Sequence, residues 1–86
     1  MSIPGSNMQV KVLFFGAAAD AAGGRESLMD IRETATAEEL VEQLRQQHPM
    51  LMRLKLLIAV NEEYAVPDAH LAPGDKVAIF TPVSGG

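Results

Sequence analysis

Cysteine is absent from the chain. That removes disulfides, thiolate metal sites and a cysteine nucleophile together. Tryptophan is also missing, and the aromatic residues are three Phe and one Tyr. Lysine and arginine never form a run, and the formal net charge is -4. Nucleic-acid binding needs a basic stripe to neutralise phosphates, so that class is set aside. An acidic balance instead favours protein partners with basic patches. No stretch approaches the ~18 consecutive apolar residues of a membrane span. The opening residues Met1 to Asn7 lack the basic region and apolar run of a secretory signal. They read as a flexible leader or an expression remnant, and the expected compartment is the cytoplasm.

What is present suits one small folded unit. The 86 residues are 48 % hydrophobic, enough for a globule but near the size where one core only just suffices. A substrate domain and a cofactor domain would not both fit, so a self-contained enzyme is not expected.

Met8 to Phe15 alternates, with Met8, Val10, Val12 and Phe14 on one face, as in a strand with one core side. Gly16 ends it. The Ala-rich Ala17 to Ala22 predicts a short helix, stopped by Gly23-Gly24. Arg25 to Arg32 has the mixed pattern of an edge strand, with Met29 and Ile31 sharing a face with Ser27. Thr36 and Glu39 form a T-x-x-E capping box. Ala37, Leu40, Val41 and Leu44 follow the i, i+3, i+4, i+7 spacing of an amphipathic helix, which Pro49 terminates.

Leu56 to Val60 is nearly continuous in apolar residues and predicts a central strand buried on both faces. Asn61-Glu62-Glu63 reads as a turn and Tyr64 to Val66 as a short strand ended by Pro67. Asp68 to Leu71 is a loop or a single helical turn. Pro73-Gly74-Asp75 is a turn. Asp75 to Phe80 is the last strand, with Val77 and Ile79 inward. One long helix on a mixed sheet is an α+β architecture, and the ubiquitin-like β-grasp is the natural candidate. Residues 1–7 are then a leader, 8–80 the β-grasp domain and 81–86 an extended tail.

That tail is Thr81-Pro82-Val83-Ser84-Gly85-Gly86. Pro82 removes a ladder donor and holds Thr81 extended, so the tail is expected to leave the sheet. Six residues reach about 20 Å at ~3.3 Å each, enough to enter another protein's pocket. A Gly-Gly end suits acyl chemistry. A carboxylate is a poor electrophile until adenylated, and attack on the adenylate passes through a crowded tetrahedral centre. A β-carbon on either residue would obstruct that approach and any narrow channel. The donors for the oxyanion must come from a partner. Against this stands the ordinary occurrence of Gly at mobile chain ends.

Several segments resemble the small subunit of molybdopterin synthase, the MoaD-type branch of the ubiquitin-like MoaD/ThiS sulfur carriers. They are Val12-Leu13-Phe14-Phe15, Ile58-Ala59-Val60-Asn61, Leu71-Ala72-Pro73-Gly74-Asp75, and the ending Val77 to Gly86. The Phe-x-Pro-Val lead-in to Gly-Gly is the most specific part. The resemblance implies that an E1-like adenylyltransferase uses ATP and Mg²⁺ to adenylate Gly86, and that a sulfur donor protein converts it to a thiocarboxylate. It also implies docking on the large subunit in a heterotetramer, where the catalytic groups are expected and where sulfur passes to cyclic pyranopterin monophosphate. No cofactor is expected on this chain itself. With no cysteine, carried sulfur is assigned to the Gly86 carbonyl carbon. Family members often have Pro at the position of Thr81 and Arg-Glu at that of Ala19-Asp20. Thiamine-pathway or tRNA-thiolation carriers and ubiquitin-like modifiers are the rival readings.

Phe15 and Phe80 end the first and last strands on the face that also shows Lys11 and Lys76. In a β-grasp these strands are parallel neighbours, so the rings would meet where the tail begins. They read as a docking seat, or else as ordinary half-buried aromatics. The resemblance adds Tyr64 to the seat. His48 and His70 lack companions at metal-ligand spacing, so no metal is expected. Met50 and Met52, beside Leu51 and Leu54, read as core filler.

Overall fold

The structure is a computed structural model that describes residues 7–82. Five strands and two helices follow in the order β1 (Asn7–Phe14), α1 (Ala17–Ala22), β2 (Glu26–Arg32), α2 (Ala37–Gln47), a 3-10 helix (Pro49–Arg53), β3 (Leu57–Val60), β4 (Glu63–Tyr64) and β5 (Lys76–Phe80). They form one mixed sheet in the order β2-β1-β5-β3-β4. The β1–β5 pair is parallel and the other three pairs are antiparallel. One main helix over such a sheet is the ubiquitin-like β-grasp expected from the pattern of elements.

The alternation in β1 decides which way the sheet faces. Met8, Val10, Val12 and Phe14 are buried, and Val77 and Ile79 of β5 and Met29 and Ile31 of β2 lie with them. From the opposite side of this core, α2 contributes Ala37, Leu40 and Leu44. The Thr36–Glu39 capping box forms as the sequence predicts: Glu39 N donates to Thr36 Oγ1 at 3.3 Å and Thr36 N to Glu39 Oε1 at 2.9 Å. The remaining free donors of that helix end are taken up by the loop between β4 and β5, with Ala37 N donating to Ala69 O and Glu38 N to Pro67 O. Such groups must find partners when a helix starts against a core.

On α1, Gly16 stands at the N-cap with φ 58° and ψ -133°, and Gly23 closes the helix in the left-handed region, as its sequence predicts. The outer edge of β2 is partly covered, because the Gln43 side chain reaches from α2 to donate to Asp30 O at 3.3 Å. Capping an edge carbonyl in this way leaves less of a template for unwanted strand pairing.

Four expectations need correction. The first strand is Asn7–Phe14 rather than Met8 to Phe15, with Asn7 pairing with Arg32 and Phe15 just past its end. β3 is not buried on both faces, for all four of its residues are half-buried. Among the described residues the one long helix lies on one side of the sheet, so Ile58 and Val60 pack on the core while Leu57 and Ala59 point to the uncovered side. β4 is Glu63–Tyr64 rather than Tyr64 to Val66, because a two-residue turn, Asn61-Glu62, joins it to β3. Met50 and Met52 are exposed, 59 % and 67 %, and do not fill the core. They fall in a 3-10 helix, whose three-residue period turns Leu51 and Leu54 inward and the two methionines out.

Candidate functional site

The parallel pairing of β1 and β5 brings the ends of both strands to one edge of the molecule. Phe15 N donates to Ile79 O at 3.0 Å, so Phe15 lies beside Phe80 where the chain passes to Thr81 and Pro82. β3 runs antiparallel to β5 and begins there, with Leu57 opposite Phe80. The β3–β4 hairpin then returns Tyr64 opposite Ala59. Since alternate residues share a face, Leu13, Phe15, Leu57, Ala59, Tyr64 and Phe80 all lie on the side of the sheet away from α2.

Here Phe15 is 50 % and Tyr64 79 % exposed. The Tyr64 and Phe80 rings pack with centroids 5.8 Å apart and planes tilted by 54°. Phe15, Gly16, Phe80 and Thr81 line a shallow depression of about 380 Å³. A small chain with four aromatic residues thus places three of them beside the last described residues. Together these side chains make a shallow, solvent-open apolar surface on the side of the sheet away from α2. The remaining ring, Phe14, is buried in the core with His48 edge-on at 6.3 Å.

Charge is also sorted between the two sides. Glu38, Glu39 and Glu42 lie on α2 and border a depression with Arg32, Gln43 and Gln46. The uncovered side of the sheet instead carries Lys11 and Lys76, directly opposite each other across β1 and β5, with Glu26 and Asp30 on β2. The acidic balance of the whole chain therefore does not describe the face on which the aromatic patch sits.

Of the site residues expected from sequence, Phe15, Tyr64 and Phe80 are brought together, with Thr81 half-buried and Pro82 exposed next to them. Val83, Ser84, Gly85 and Gly86 lie outside the described residues. Leu57 and Ala59 join the patch although the sequence placed them in the interior. An uninterrupted apolar run does not reveal that one sheet face has no helix over it. His48 and His70 sit in separate elements, His48 at the α2 C-cap and His70 bridged to Thr36. No helix among the described residues is long and apolar enough to cross a membrane.

The ThiS family matches residues 12–86. A molybdopterin synthase sulfur carrier subunit from Chlamydomonas reinhardtii is 37 % identical over 83 residues, covering 92 % of this chain and 100 % of that protein. Among solved structures, a putative molybdopterin converting factor subunit 1 from Pyrococcus furiosus superposes with a TM-score of 0.83 at 29 % identity, over 88 % of this chain and 99 % of the other. The small archaeal modifier protein 1 of H. volcanii gives a TM-score of 0.81 at 27 % identity, with the same coverage.

Proposed function

The chain belongs to the ThiS family, and from that premise we propose that it is the sulfur carrier subunit of a molybdopterin synthase. Residues 7–80 form the folded body, and residues 81–86 are the tail that carries the reacting group. The observation that bears most weight is the coincidence of two features. The chain ends in Gly85-Gly86, and the strand leading to that end carries the exposed aromatic patch at its last residue.

In this reading the body docks and the tail reacts. An activating enzyme joins the Gly86 carboxylate to the α-phosphate of ATP, releasing pyrophosphate, with Mg²⁺ balancing phosphate charge on that enzyme. A sulfur nucleophile from a donor protein attacks the acyl carbon and AMP leaves. If that nucleophile is the outer sulfur of a donor persulfide, a second thiol then attacks the S–S bond of the resulting acyl disulfide, releasing the terminal thiocarboxylate and leaving the donor as a disulfide. The charged chain then seats Phe15, Tyr64 and Phe80 on the synthase large subunit, and the tail delivers sulfur to cyclic pyranopterin monophosphate there. The chain is a protein cosubstrate, since oxyanion donors and acid-base groups for these steps belong to its partners.

The likeness to a small archaeal modifier protein favours one second reading, in which activated Gly86 ends in an isopeptide with a lysine. Reconstitution separates the two. The thiocarboxylated chain, mixed with a large subunit and the pterin precursor, is expected to yield the dithiolene product and return Gly86 as a carboxylate. Lysine-linked conjugates with no dithiolene product would favour the modifier.

A further inference from the structure

Lys76 is a cation of the patch-bearing face to which the described residues supply no counter-charge. It is exposed, and the parallel register sets it directly opposite Lys11 on the neighbouring strand. Like charges in that position are destabilising. Lys11 is drawn the other way, its Nζ lying 3.4 Å from Glu26 Oε2. No carboxylate lies within ion-pair distance of Lys76 among the described residues, and Lys11–Glu26 is the ion pair found there. The acidic group nearest in sequence is already committed. Asp75 accepts from Asn61 Nδ2 at 3.0 Å and from Ala72 N at 2.8 Å. Even the backbone of Lys76 is held, its N–H donating to Asn61 Oδ1 at 3.1 Å, so the stem of this side chain starts from a fixed point.

Position supplies the second half of the case. Lys76 and Phe80 lie on one face of β5 four residues apart, which is about 13 Å at ~3.3 Å per residue. A standard interface takes about 800 Å² from each partner, a patch roughly 30 Å across, so a protein seated on Phe15, Tyr64 and Phe80 also covers Lys76. At the rim of such an interface, that cation favours a partner of opposite charge and disfavours one of like charge.

We infer that the protein seated on the Phe15–Tyr64–Phe80 patch presents a carboxylate to Lys76, which makes Lys76 a residue that selects the partner. The inference rests on the sulfur-carrier reading and names the chemistry of its docking partner: an apolar socket for the aromatic rings, with an Asp or Glu about 13 Å away along the β5 direction. It reverses what net charge alone suggests, since a chain of formal charge -4 would engage its partner through a cation. Rim charges of this type act on association rate and on discrimination against wrong partners.

The test uses the full chain and the cognate synthase large subunit, with affinity measured calorimetrically at low and high salt. Lys76→Glu is expected to weaken binding about tenfold or more, and Lys76→Gln to weaken it less while flattening the salt dependence. Thermal midpoints of both variants are expected to equal or exceed that of the parent, because a facing like charge has been removed. A large-subunit Glu→Lys or Asp→Lys change at the facing position is expected to restore Lys76→Glu binding. Unchanged affinity for Lys76→Glu, or a parent chain that self-associates through this face and ignores the large subunit, would overturn the inference. Intact-mass detection of the thiocarboxylate in the same preparations keeps the two readings apart. A parent chain that never gains sulfur defeats the carrier reading, whereas one that gains it and binds regardless of Lys76 defeats the present inference alone.

Discussion

The Tyr64 ring lies against Phe80, 5.8 Å between centroids, although the two residues belong to strands at positions three and five of the sheet. β3 stands between them, and its small Ala59 opposite Tyr64 and Ala78 opposite Ala59 leave room for the ring to lean across. Neighbouring small side chains thus convert two separate aromatics into one surface.

That arrangement sets a prediction for docking. Tyr64 is largely exposed, so Tyr64→Ala is expected to change folding stability by no more than about 0.5 kcal/mol. The same change, and Phe80→Ala, should weaken large-subunit binding by about 2 kcal/mol, near thirtyfold, as for central aromatic anchors. Titration calorimetry paired with urea unfolding of each variant reads both quantities. Tyr64→Ala with parental affinity would remove Tyr64 from the seat.

The capping box offers a contrasting case. Thr36→Ala removes the acceptor of Glu39 N and should reduce stability by about 1 kcal/mol. In a domain of this size that lowers the thermal midpoint by about 4–8 °C. Because α2 lies on the far side of the sheet from the aromatic patch, affinity for the large subunit at low temperature should not change. Calorimetric melting and binding on one sample check both halves.

Backbone conformation supplies a pair of opposite substitutions. Asn61 and Glu62 both have positive φ, 52° and 73°, the geometry of a two-residue hairpin turn that favours Asn-Gly. Relieving the β-carbon at Glu62 gains about 1–2 kcal/mol. The looser unfolded chain offsets about 0.4–1 kcal/mol of that. Glu62→Gly should therefore stabilise slightly. Gly16→Ala should destabilise by about 1–3 kcal/mol, since φ 58° with ψ -133° excludes a β-carbon on conformational grounds. Beyond its immediate chain neighbours no atom lies within 4 Å of that added carbon, so crowding by the rest of the fold is not the reason. Denaturant midpoints that move in the same direction for both variants would contradict this assignment.

Much of the fold could be read locally. The capping box, the spacing from Ala37 to Leu44 and the alternation of β1 each depend on residues within one or two turns of one another, and each forms as expected. The misreadings share a different cause. Leu57 and Ala59 look like interior residues because composition reports apolarity, not which sheet face a helix covers. Met50 and Met52 look like core residues until a three-residue period is applied after Pro49. Phe15 and Phe80 were legible as neighbours once the first and last strands were taken as parallel. Lys76 was visible on that face, but its lack of a counter-charge depends on where Glu26 and Asp75 point, and this is set by pairing across strands.

The central claim concerns the Gly86 carboxyl group, and intact-mass analysis after co-expression with the cognate activating enzyme tests it most directly. The account predicts a species in which one oxygen of the full-length chain is replaced by sulfur, lost when Gly86 is deleted. A chain whose mass stays unchanged while that enzyme consumes ATP in its presence would contradict it.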